Sequence, residues 1–98
     1  MTTKNDSCYR FVVSGRVQGV FYRDTTRNKA TNLGLRGWVR NLRSGDVELV
    51  AGGPREKIRL LEDWLWKGPE LARVTRVVAE EIELADIPTH GFDIIRTA

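Results

Sequence analysis

The sequence predicts an α+β sandwich in which two helices pack on one face of an antiparallel sheet, and three observations carry that prediction. Two segments place apolar residues at helical spacing, and five short runs are rich in β-branched and aromatic residues. The two kinds follow one another in the order β-α-β-β-α-β with a short strand at the end. Breaks at Gly15, Gly34, Gly45, Gly52 and Gly68 separate them.

The run 9–14, with Tyr9, Phe11, Val12 and Val13, is the first strand, and Gly15 closes it. A short loop, 16–21, leads into a polar helix on which Tyr22, Thr26, Ala30 and Leu33 share one face, with Gly34 as the stop. Runs 35–42 and 47–51 form a hairpin around Arg43, Ser44, Gly45 and Asp46. Gly52, Gly53 and Pro54 open the second helix, whose stripe is Ile58, Leu61 and Leu65 with Trp64 beside it, and Gly68 and Pro69 end it. Run 74–84 is a long fourth strand and 92–96 a short fifth. This order folds most economically as the split βαβ arrangement of ferredoxin-like domains.

At 98 residues the chain holds one domain, assigned to 8–98, behind a polar tail, 1–7, that is expected to be disordered. The 41% apolar content suits a soluble globular protein. No apolar run nears the ~18–20 residues that span a bilayer. The first residues lack a secretory signal, so the expected location is the cytoplasm. Cys8 and His90 are the only cysteine and histidine, which excludes an internal disulfide and a Cys/His metal site. A Ser–His or Cys–His nucleophile would have to use His90, in a loop-like stretch. A turn histidine and a strand-entrance cysteine are the simpler readings.

The net charge of +3 is unevenly spread: 1–50 carry nine Lys/Arg against four Asp/Glu, and 51–98 carry seven against nine. A basic first half points to an anionic partner. Twelve of the sixteen cations are arginine, whose planar fork fits phosphate. On composition alone, nucleic acid and a small phosphorylated molecule are equally open.

The segment that carries chemistry is Gly15-Arg16-Val17-Gln18-Gly19-Val20-Phe21-Tyr22-Arg23. Two glycines in a strand-to-helix loop let successive backbone N–H groups aim at one point, and the helix N-terminus adds partial positive charge there. Arg23 would close this cradle with a charge-assisted contact. The spacing is neither that of a Walker A loop nor that of a dinucleotide site. By composition alone, a tight turn with a solvated arginine is the commoner use of such residues.

Gly15-x-Val17-Gln18-Gly19-Val20-Phe21-x-Arg23 resembles the first signature of the acylphosphatase family. Gly34-Leu35-x-Gly37-Trp38-Val39-Arg40-Asn41, followed by Gly45-x-Val47-Glu48, resembles the second. Gly68-Pro69, with Ala72 and Val74 after it, looks like the family's link from second helix to fourth strand, and the likeness spans about residues 8–96. Two long signatures at the right separation make the resemblance specific. The family often has Phe where Tyr22 stands and Asp where Ser44 stands; neither position supplies a catalytic group.

The resemblance implies a hydrolase of acyl phosphates, acting without metal or cofactor as a monomer, with inorganic phosphate as product and competing ligand. Arg23 would bind the substrate phosphate, and the backbone of Arg16, Val17, Gln18, Gly19, Val20 and Phe21 would hold its oxygens. Asn41 would position the attacking water. Chemistry makes this short list sufficient, because a carboxylate leaving group departs without a general acid. A loose phosphoryl-transfer transition state asks mainly for positioning and charge stabilisation. Asn at a strand end is usually a local cap; its place in the second signature is what marks Asn41. Glu48 and Asp24 rank behind it as candidate bases, and Arg16, Arg40 and Arg43 either raise the local potential or are simply solvated. Trp38, Trp64 and Phe92 read as packing residues. An RNA-recognition domain shares the strand order and suits the basic half, but its aromatic strand pattern is absent. A regulatory domain that binds acyl phosphates without turnover is a third reading, against which both intact signatures argue.

Overall fold

The computed structural model describes residues 6–84 and 87–98. Its elements follow the expected order: β1 (Asp6–Arg16), α1 (Tyr22–Asn32), β2 (Arg36–Asn41), β3 (Val47–Pro54), α2 (Arg55–Lys67), β4 (Arg73–Glu81) and β5 (Phe92–Ile94). They build one sheet in the order β4-β1-β3-β2-β5. The first four strands are antiparallel to their neighbours, whereas β5 runs parallel to β2. The antiparallel expectation is therefore amended at one edge. The chain crosses from the β4 edge to the β2 edge before it re-enters the sheet, and this sets the direction of β5.

Both helices cover one face, as their apolar stripes require. Phe11 and Val13 of β1, Val39 of β2, and Val47, Leu49 and Ala51 of β3 meet Tyr22 and Ala30 of α1 and Ile58, Leu61 and Leu65 of α2. Phe11, Leu49, Leu61 and Leu65 are fully buried, each contributing roughly 1.5–3 kcal/mol. The thin apolar face of α1 is reinforced at its start. Tyr22 packs its ring 5.7 Å from that of Trp64, and its hydroxyl donates to the Leu65 carbonyl at 2.7 Å. That carbonyl lies in the last turn of α2, where no intrahelical donor remains. No helix among the described residues is long and apolar enough to cross a membrane.

Several boundaries differ from the sequence reading. Asp6 and Ser7, assigned to the tail, pair with Pro54 and Gly53 as the start of β1; residues 1–5 of that tail lie outside the described residues. Gly52 and Gly53, expected to open α2, instead end β3, because the longer β1 gives them partners on one side and β2 pairs Gly52 on the other. The second helix begins only after Pro54. The fourth strand stops at Glu81, and Ile82 and Leu84 join Ile87 against Cys8, Val50 and Trp38 on the face away from the helices. β5 spans three residues rather than five, although Ile95 still donates to the Val39 carbonyl at 2.9 Å.

One irregularity sets up the site. The β1–β4 register shifts between Ser14 and Gly15. A Cβ on Gly15 would lie 2.1 Å from the Arg73 carbonyl oxygen, so glycine alone permits this approach. Past it, β1 leaves the sheet and turns toward α1.

Candidate active site

Residues 17–21 carry the chain from β1 into α1. Gly19 has φ 73° and Phe21 φ 65°, so left-handed positions recur two residues apart. Such a backbone turns successive N–H groups toward a common point. From Val17 to Asp24 no backbone N–H finds a protein acceptor among the described residues. The first to do so is that of Thr25, 3.1 Å from the Phe21 carbonyl.

The loop is held from below and from the side. Val17 and Val20 are 1% and 3% exposed and belong to the core. The Gln18 amide donates through Nε2 to the carbonyls of Leu42 at 2.8 Å and Asp46 at 2.9 Å. Those carbonyls belong to the turn that follows Asn41, so one side chain fixes the loop against the end of β2.

Asn41 shares the helix-facing side of β2 with Val39 by strand alternation. Its backbone carbonyl accepts from the Ala98 N–H at 3.0 Å. Its side-chain Oδ1 is buried and has no hydrogen-bond partner among the described residues. Arg23, half-buried in the first turn of α1, likewise has no ion pair or side-chain hydrogen bond there. A cavity of about 280 Å³ brings these groups together, lined by Val17, Gln18, Gly19, Phe21, Tyr22, Arg23, Asp24 and Asn41.

The sequence matches the acylphosphatase family over residues 9–94. The chain belongs to that family. An acylphosphatase from Coxiella burnetii is 54% identical over 83 residues, which is 85% of this chain and 87% of the relative. The solved structure of an acylphosphatase from Coxiella burnetii superposes with a TM-score of 0.86 at 48% identity, covering 94% of this chain and 95% of that one. One from Bacillus subtilis superposes at 0.85 with 34% identity over 90% and 97%. The chain is an enzyme of the acylphosphatase type, built on the ferredoxin-like fold of these relatives.

Within this acylphosphatase fold, the residues expected in the phosphate loop divide. Val17, Gln18, Gly19 and Phe21 line the cavity. Val20 sends its side chain into the core and reaches the loop through its backbone alone. Arg16 is exposed at the end of β1, in register with Arg73, and is not in the lining.

The two carboxylates also part company. Asp24 lies at the cavity in the first turn of α1. Glu48 faces the other side of the sheet, where its Oε2 is 2.5 Å from Arg10 Nε and its Oε1 2.6 Å from Arg40 Nε. Burial pushes the Glu48 pKa up, but the hydrogen bonds and charges of Arg40 and Arg10 outweigh it, so the carboxyl stays below its ordinary 4.5. A carboxylate so held is a counter-ion rather than a base. Arg40 also covers the Trp38 ring at 4.8 Å, and Arg43 is exposed in the hairpin.

Cys8 is buried on the face away from the helices. His90 precedes Gly91, whose carbonyl accepts from Gly37. Gly37 is four residues from Asn41 along β2, about 13 Å at strand rise. Neither residue is in the cavity lining. Trp64 and Phe92 pack in or against the main core, and Trp38 packs against the smaller cluster. Tyr9 and Phe11 turn toward the helices with their rings 6.0 Å apart. The other face of β1 and β3 carries Arg10, Val12, Glu48 and Val50, with Val50 covered by Ile87 and its neighbours, rather than the aromatic stacking platform an RNA-recognition domain needs.

Sequence reasoning counted Gln18 for its backbone only. Its side-chain tie spans 24 and 28 residues, and nothing local in the sequence signals a contact so distant. The Arg10–Glu48 contact, 38 residues apart, was missed for the same reason, whereas Arg40 and Glu48 are only eight residues apart across the predicted hairpin and were within reach of a cross-strand reading.

Proposed function

We propose that this chain hydrolyses acyl phosphates to a carboxylate and inorganic phosphate without a metal. Arg23 and the loop N–H groups hold the phosphoryl group, and Asn41 holds the attacking water. One observation carries the reading: a single cavity is lined by loop residues whose backbone N–H groups are unpaired, by Arg23, and by Asn41, whose Oδ1 is unpaired. A phosphoryl group presents acceptor oxygens and matches the donors. Water is both donor and acceptor, so it can donate to the amide oxygen and keep a lone pair for phosphorus.

In the reaction, the water oxygen bonds to phosphorus. The bond from phosphorus to the carboxyl oxygen breaks, and the acyl group leaves with the electron pair as a carboxylate. The proton from water passes to solvent or to the phosphate product. A carboxylate with a pKa of roughly 4–5 needs no protonation to leave. Arg23 and the N-terminus of α1 supply positive charge where the phosphoryl oxygens lie, and this favours a loose transition state. Among the described residues no three His, Cys, Asp or Glu side chains gather as a metal site.

A benzoyl phosphate assay tests the reading. Turnover is expected to persist in excess chelator, with inorganic phosphate as a competitive inhibitor. An alkyl phosphate monoester should be turned over roughly 10³-fold more slowly or worse, because its alkoxide requires an acid. Activity lost to chelator and restored by a divalent cation would overturn the metal-free mechanism. Equal turnover of the monoester would overturn the substrate class.

A further inference from the structure

Phe21 is 72% exposed, the most exposed large apolar side chain among the described residues, and the only exposed one of that kind in the lining of the cavity. It is also the only non-glycine residue with positive φ among the described residues, at φ 65° and ψ 21°. A left-handed backbone strains a Cβ and suits glycine far better. Its side chain makes no capping hydrogen bond to α1. Its neighbours Val20 and Tyr22 fill the core, and Phe21 does not join them. Neither packing, capping nor backbone conformation accounts for phenylalanine here. The left-handed backbone here serves the loop, which glycine would serve with less strain, so the choice of phenylalanine points to a role for the ring itself.

We infer that Phe21 is the wall against which the acyl group of the substrate packs, and that the chain prefers acyl phosphates whose acyl group is aromatic or bulky and apolar. The inference rests on the acyl phosphate reading and deepens it. The cradle takes the phosphoryl group, so the acyl substituent must project from the cavity mouth. An exposed aromatic ring at that mouth offers stacking and apolar contact to a benzoyl group and little to a methyl group. Because the contact forms on binding and persists through the reaction, it acts mainly on KM.

The test is the ratio of kcat/KM for benzoyl phosphate to that for acetyl phosphate, which cancels any loss common to both substrates. In Phe21→Asn, whose side chain tolerates the left-handed backbone, the ratio is expected to fall about tenfold from wild type, chiefly through KM for benzoyl phosphate. Phe21→Tyr should retain the wild-type ratio. Phe21→Gly should lose the ratio as Phe21→Asn does, without lowering the unfolding midpoint, since glycine adopts this backbone freely. Turnover of both substrates with a ratio indifferent to Phe21→Asn and Phe21→Gly overturns the inference alone. Failure of the wild-type chain to turn over either acyl phosphate overturns the function it rests on, and the inference with it.

Discussion

The two faces of the sheet collect arginine in opposite ways. On the face away from the helices, Arg10 and Arg40 converge on Glu48, and every charge in the cluster has a partner. On the helix face, Arg23 and the Asn41 amide oxygen meet at one cavity with no partner among the described residues. Leaving a buried acceptor unpaired costs about 1–3 kcal/mol. A structural cluster avoids that cost and a ligand site accepts it. Thr26 Oγ1 and Arg36 Nε are also buried without a hydrogen-bond partner among the described residues but lie outside this cavity, so what sets Asn41 apart is that its unpaired oxygen shares a cavity with an unpaired arginine.

If that contrast is right, variants on the two faces fail in different assays. The largest effect belongs to Arg23→Ala. Losing the charged partner of the phosphoryl group should lower kcat/KM roughly 10³-fold and weaken inorganic phosphate binding. The unfolding midpoint should barely move, because no protein partner is lost. Arg23→Lys should recover little, since an ammonium lacks the planar fork. A lower midpoint with phosphate affinity intact would place Arg23 on the structural side of the contrast.

Glu48→Gln should do the reverse, removing about 1–2 kcal/mol of stability at neutral pH with kcat changed less than about twofold. This is the lower part of the range for hydrogen bonds to charged groups, because Arg10 and Arg40 are partly solvated. Its signature is in the pH dependence. The folded pKa of Glu48 lies below the unfolded one, so its contribution is present above the unfolded value and is lost as pH falls through the folded value. Denaturant midpoints of wild type should thus drop more steeply than those of Glu48→Gln below about pH 4.5. Parallel curves would contradict the paired-cluster reading.

The smallest effect is that of Tyr22→Phe. It deletes the hydroxyl that satisfies the Leu65 carbonyl and should cost about 1 kcal/mol. For a domain of this size that is a fall in Tm of roughly 4–8 °C. An unchanged Tm would show that this helix-to-helix hydrogen bond adds nothing net to stability.

How much of this was legible in the sequence depended on whether the signal was local. Periodicity placed Tyr22, Thr26 and Ala30 under α1 and Ile58, Leu61 and Leu65 under α2, and all six are buried. The loop glycines and Arg23 form one contiguous segment, yet by composition they read as a tight turn with a solvated arginine, and it was the resemblance that singled them out. Gly52 and Gly53 misled because local propensity reads two glycines and a proline as a break, whereas the partner strand that keeps them in the sheet is about 45 residues away in sequence. The direction of β5 depends on a crossover that no window of sequence contains. Asn41 was marked only by resemblance. Its buried, unpaired oxygen is a property of the assembled site, as is the Gln18 tie that holds the loop beside it.

The central claim is that one cavity separates phosphate binding from water alignment, and Asn41→Ala tests it most directly. Inorganic phosphate affinity and kcat should be measured on the same preparation, after its unfolding midpoint shows a folded chain. The account predicts phosphate affinity within about twofold of wild type, because Arg23 and the loop N–H groups remain. It predicts that kcat and kcat/KM fall together by about 10²-fold, the loss of an interaction made in the transition state. A folded Asn41→Ala that keeps wild-type kcat would contradict the account and leave Asp24 as the remaining carboxylate at the cavity to align or activate water.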